Sequence, residues 1–164
     1  MTLLPDAARL WLFTLDRTVS ALEADALRRH LGAWLPSWQS HGRPVRAAAD
    51  VLKGRVLAVG AVISEADLNA GVSGCGIDSM ERAVAAALEA ENVSLAPALG
   101  VTYRDGDAWE TATRPAFRRL VKADEVGAET VVLDVTSDTV GALRERGIAR
   151  PAGETWAGRA FALA

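Results

Sequence analysis

The stretch Asn69-Ala-Gly-Val-Ser-Gly-Cys-Gly-Ile-Asp-Ser79 gathers the residues best suited to chemistry. Gly71, Gly74 and Gly76 allow a sharp bend that presents backbone N–H groups to a bound atom. Asp78-Ser-Met-Glu81 has the spacing of a capping box, so a helix is expected to begin there. Helix N-termini favour anions and thiolates, which makes Cys75, just ahead of that cap, the candidate nucleophile. Ser73, Gly74, Cys75, Gly76, Asp78 and Ser79 then form a candidate ligand-binding turn. If the first and third strands run parallel, Asp16 and Arg17 lie at the same sheet edge, and Arg17 supplies a cation for a thiolate, carboxylate or phosphate. The same residues also have a structural reading. Asp78 caps the helix, Cys75 is a small buried side chain, the glycines permit the turn, and Arg17 pairs with Asp78 or Asp16. A charge at Asp78 counts against phosphate.

Other chemistries find less support. His41 follows the first predicted helix and precedes the second strand, at the edge opposite Cys75, which argues against a Cys–His hydrolase. His30 lies beside Leu27 and Leu31 and reads as a satisfied, half-buried side chain. Two histidines and one cysteine exclude a His-rich or Cys-cluster metal site and an internal disulfide. Neither a G-x-x-x-x-G-K-[ST] phosphate loop, a G-x-G-x-x-G fingerprint nor a G-x-S-x-G elbow is present, so no cofactor is expected.

The elements that must position these residues alternate regularly. Arg9 to Leu15 reads as a central strand, with Leu10, Leu12 and Thr14 on one face and Trp11, Phe13 and Leu15 on the other. Ser20-Ala-Leu-Glu23 is a capping box for a helix to about Trp34, with Leu22, Ala26, Leu27, Leu31 and Trp34 as its buried stripe. Val45 to Val51 is an edge strand, Lys53-Gly54 a tight hairpin turn, and Arg55 to Ile63 a second central strand. The helix opened by Asp78 carries Met80, Val84, Ala87 and Leu88 inward, and a further strand spans Ala98 to Arg104. Strand, helix, strand, strand, helix, strand is the split βαβ order of a ferredoxin-like antiparallel sheet of the α+β class. Its central strands are apolar on both faces, so the open face needs a cover. A helix from Arg114 to Ala123, a strand from Thr130 to Val135, a short helix from Thr139 to Arg146 and a tail with Trp156 and Phe161 offer one. A second chain offers another. The reading is one domain over 1–164, with the core at 1–104 and the extension at 105–164. The turn-rich Tyr103–Asp107 is the nearest approach to a boundary.

At 164 residues, 50% hydrophobic and with a mean hydropathy of +0.13, the chain has material for a full core. A net charge of −3 and pI of 5.4 give no basic field for nucleic acid or an anionic membrane. All but two of the 18 basic residues, Lys53 and Lys122, are arginine, a bias of composition before it is a sign of anion recognition. Asp6 and Arg9 interrupt any leader, and the apolar run from Leu10 to Leu15 is too short for one, so the cytoplasm is expected.

Asp16-Arg17, Trp38-Gln-Ser-His41-Gly42, Gly74-Cys-Gly-Ile-Asp-Ser79 and Thr155-Trp156-Ala-Gly-Arg159 together give a likeness over nearly the whole chain. It resembles an uncharacterised bacterial family, common in the Bacteroidetes, whose members often carry an automatic "ABC transporter ATPase" label. Gly76 stands where the family pattern has serine. The label has no support here, because the phosphate loop is missing and the chain is too short. The resemblance implies roles for Arg17, Trp38, His41, Gly74, Cys75, Asp78, Ser79, Trp156 and Arg159, but no reaction. Three functions are in view. The first is a small-molecule or anion-binding domain built on Cys75 and Arg17. The second is a non-catalytic, homodimeric protein-interaction domain. Nucleic-acid binding on the sheet ranks last.

Overall fold

The computed structural model describes residues 3–63 and 71–163, so Asn69 and Ala70 of the glycine-rich stretch lie outside the described residues. Strand β1 (Arg9–Thr14) alternates its apolar side chains as the sequence requires. Strand β5 (Val56–Val62), central in the order β1-β5-β4, is buried at every position because both of its faces are covered, Leu57 and Val59 on one side and Val56, Ala58 and Val62 on the other. Strand β4 (Arg46–Leu52) reaches it through Lys53 and Gly54, both at positive φ (53° and 63°), the tight turn that glycine favours. Two short strands, β2 (Gln39–Ser40) and β3 (Arg43–Pro44), form a separate ribbon ahead of β4.

Helix α1 (Ala21–Trp34) starts at the expected capping box: Ser20 Oγ accepts from Glu23 N, and Glu23 Oε2 accepts from Ser20 N. Helix α2 (Gly74–Ala90) buries Met80, Val84, Ala87 and Leu88. Both helices cover the Leu57/Val59 face of the sheet, where Leu27, Leu31 and Trp38 complete the core. The α1 stripe is Ala24, Ala26, Leu27 and Leu31, whereas Leu22 is 81% exposed. Leu22 precedes Leu27 by five residues, about 140° around the helix, so only one of the two can face the sheet.

After α2 the chain returns along β1: Asp16 N bonds Ser94 O and Ala96 N bonds Thr14 O, each at 2.9 Å. The strand expected over Ala98–Arg104 forms as β6 (Val101–Asp105), but in a second sheet. There it pairs with β7 (Ala108–Ala112) and β8 (Val131–Leu133), and β9 (Ala149–Pro151) completes the order β7-β6-β8-β9. Tyr103–Asp107 is thus the tip of a hairpin inside this sheet, turning at Gly106. Helices α3 (Arg114–Lys122), α4 (Val140–Arg146) and α5 (Trp156–Phe161) complete the molecule.

The second sheet has its own core around Phe117, Val132, Ala157 and Phe161. Its connections close over the open face of the first. Val140 packs on Leu10, Ala58 and Val62, while Leu133 and Ile148 pack on Val56. Main-chain bonds Leu10 N–Asp138 O (2.8 Å) and Val140 N–Ala8 O (2.9 Å) stitch the two parts. The molecule is α+β with antiparallel sheets, and the cover for the apolar face comes from within the chain.

Candidate functional site

The glycine-rich turn is organised differently from its sequence reading. Helix α2 begins at Gly74 under Ser73, whose Oγ accepts from Gly76 N at 3.2 Å. Asp78 and Ser79 are therefore inside the helix rather than at its cap, and Cys75 sits in its first turn, exposed rather than buried. Ser73 prevails because Ser40 anchors it: Ser40 Oγ accepts from Ser73 N at 2.9 Å and donates to Ser73 Oγ at 3.0 Å. Trp38 Nε1 donates to Gly76 O at 2.9 Å. A Cβ on Gly76 would lie 2.8 Å from Val72 Cγ1, which explains the glycine. The turn's polar groups are occupied in holding the β2–β3 ribbon against α2. His41, in that ribbon's turn at φ 50°, lies next in sequence to Ser40, not at the opposite edge.

Arg17 is not part of this cluster. Strands β1 and β5 are antiparallel, as the expected antiparallel sheet requires and not parallel as the shared edge for Arg17 and Cys75 required, with Thr14 opposite Val56. The end of β1 therefore meets the start of β5, while α2 follows its other end. Arg17 Nη2 instead bonds Glu23 Oε1 at 2.7 Å, and this ion pair, with the Ser20 bonds, holds the Glu23 carboxyl down to about 2. His30 is exposed and its Nε2 meets Glu91 Oε1 at 3.1 Å.

The structure offers another site where the two sheets meet. A slot of about 530 Å³ opens between β1 and the second sheet, walled by Leu12, Phe13, Leu95, Pro97, Leu99 and Trp156. Arg114 stands at it with its guanidinium 5.0 Å from the Trp156 ring centre, and forms no ion pair among the described residues. Thr102, 4% exposed, lines the slot from β6. Its Oγ1 lies 2.8 Å from Thr111 Oγ1, which accepts from Arg55 Nη2 at 2.7 Å. With the guanidinium donating to Thr111, the Thr111 hydroxyl is free to donate to Thr102, an arrangement that leaves the Thr102 hydroxyl hydrogen for a ligand acceptor. The β1 edge adds a main-chain pair. Leu10 N and Thr14 O bond outward while Leu15 N bonds inward to Arg55 O, so the alternation turns Leu12 N–H and C=O outward. Neither Leu12 group has a backbone partner among the described residues. A larger groove of about 800 Å³ along α2 carries Glu81 and Glu89 but neither an arginine nor a buried hydroxyl.

Sequence reasoning missed Arg114, Thr102 and Thr111. Their signal was the Thr102–Thr111 register, which places two hydroxyls side by side once the hairpin is known. The resemblance had pointed at Trp156, which lines the slot, and at Arg159, which is exposed.

Compared with models of protein families, with curated protein sequences and with solved structures, the chain matches none. Among the described residues, no helix is long and apolar enough to cross a membrane. Nor do three or more histidine, cysteine or acidic side chains among them cluster to hold a metal.

Proposed function

We propose that this chain is a small-molecule-binding domain whose site is the slot between the sheets, not the Cys75 turn. The ligand has an apolar body and a carboxylate: the body lies against Phe13, Leu95 and Trp156, the carboxylate takes the Arg114 fork, and Thr102 and the Leu12 main chain fix its orientation. The observation that carries this reading is Arg114, its guanidinium over the Trp156 ring beside an apolar cavity with no acidic partner among the described residues.

Residues 9–63 and 71–96 form a ferredoxin-like core in which Ser94–Ala96, antiparallel to β1 through the Leu15–Leu95 bridge, stands for a shortened fourth strand. Membership of the bacterial family named above and a cytoplasmic location are proposed with it. The partners are a small molecule and, as a second reading favoured by the 81% exposure of Leu22, a second copy of the chain.

Tryptophan fluorescence tests the slot, with Trp156→Phe identifying the responding ring. Benzoate and hexanoate are expected to bind, and Arg114→Ala to weaken both about tenfold while leaving benzamide unchanged. Equal binding by native protein and Arg114→Ala overturns the reading. Sedimentation over a range of concentrations, with Leu22→Lys as control, tests the dimer.

A further inference from the structure

A separate cavity, also lined by Thr111, contains a buried cation with no ion pair among the described residues. Arg55 is 4% exposed. Its Nη2 donates to Thr111 Oγ1 at 2.7 Å, its Nε is buried without a partner, and it has no ion pair among the described residues. Burial pulls the guanidinium below its ordinary pKa, against the opposing charges of Glu110 and Asp16. A buried cation left without an acceptor is costly, and an arriving carboxylate matches the guanidinium fork.

Arg55 lines a polar cavity of about 400 Å³ shared with Asp16, Arg17, Thr18, Trp109 and Glu110. Of the other charges there, Arg17 is committed to Glu23. Among the described residues, the Glu110 carboxylate has no hydrogen bond or ion pair, and Asp16 Oδ1 accepts only from Ser94 N, at 3.2 Å. A lone anion would meet one unpaired cation and two carboxylates. A dianion such as phosphate is repelled, whereas a molecule carrying both signs is matched at both ends.

We propose that this cavity binds a small zwitterion of the amino-acid type, its carboxylate on Arg55 and its ammonium between Asp16 and Glu110. The site is separate from the slot: only Pro97 and Thr111 line both. Arg55 reaches the slot's Thr102 through Thr111, so the two readings are told apart by ligand: alanine reports on this cavity and benzoate on the slot. L-Alanine is titrated into the ¹⁵N-labelled protein beside its two halves, propionate and ethylamine, with the Arg55 Nε–H resonance as reporter. Alanine is expected to shift that resonance and to bind at least tenfold more tightly than either half. Arg55→Lys, checked for native circular dichroism, abolishes the binding. Glu110→Gln, at an exposed position, brings alanine down to the level of propionate. If Arg55→Lys does not fold, Glu110→Gln and the Nε–H resonance decide. The proposal is overturned if alanine does not bind at millimolar concentration, if folded Arg55→Lys binds it as the native protein does, if Glu110→Gln leaves the preference intact, or if inorganic phosphate binds more tightly than alanine.

Discussion

At Gly76 the first turn of α2 leaves no room for a side chain, because Val72 Cγ1 would sit 2.8 Å from a Cβ and Ser73 Oγ 3.3 Å. Gly76→Ala is expected to cost about 1–3 kcal/mol by overpacking. Ser73→Ala, which removes the cap, should cost about 1 kcal/mol. Cys75→Ser, at an exposed position, should stay within about 0.5 kcal/mol, and denaturant unfolding of the three variants checks the ranking. Glu23 provides a prediction in pH. Its carboxyl is depressed to about 2 by Arg17 first and then by the Ser20 main chain and hydroxyl. A depressed carboxylate stabilises the fold above its unfolded value and loses that contribution as pH falls through its folded value. The Tm difference between native protein and Glu23→Gln should therefore be full above pH ~5 and vanish towards pH ~2. The Ser20–Glu23 box was legible in the sequence because all of its partners lie within one turn. Ser73 was not, because what selects it over Asp78 is Ser40, distant in sequence and adjacent only in the fold.

Among the elements, the apolar spacing was enough to locate α1 and β5, but not to orient them. Both Leu22 and Leu27 suit a buried stripe by type, and only the sheet decides between them. Leu27→Ala is expected to cost about 2–5 kcal/mol and Leu22→Lys less than about 0.5, as measured by thermal unfolding. The strand pair β1–β5 carries the larger lesson. Both strands read as apolar on two faces, which is silent on direction, but the antiparallel sheet expected from the element order already requires these neighbours to run antiparallel, so the shared edge for Arg17 and Cys75 conflicted with the sheet itself. Direction then decided the site. An antiparallel β5 carries Cys75 away from Arg17 and delivers Arg55 to Arg17's end, where Leu15 N bonds Arg55 O at 2.8 Å.

The whole molecule is held together where the second sheet and α4 close on the first sheet. Val140 is 1% exposed there and packs against Leu10, Ala58 and Val62. Val140→Ala is expected to cost about 2–3 kcal/mol through lost burial and the cavity left behind. Because this contact joins both sheets, tryptophan fluorescence and far-UV circular dichroism should report one coincident unfolding transition, and two separate transitions would show that the parts unfold independently. The sequence by itself determined the local quantities: the Ser20 cap, the Lys53-Gly54 turn, the strands around Leu12 and Val59, the inward face of α2 and the need for a cover over the sheet. These depend on neighbours within a few residues, where spacing and backbone preference act directly. The tertiary structure alone decided the true start of α2, the place of β6 in a second sheet, and the meeting of Arg55 with Thr111 and of Arg114 with Trp156. Each of these joins residues distant in the chain, and side-chain type is the same whether or not such partners meet.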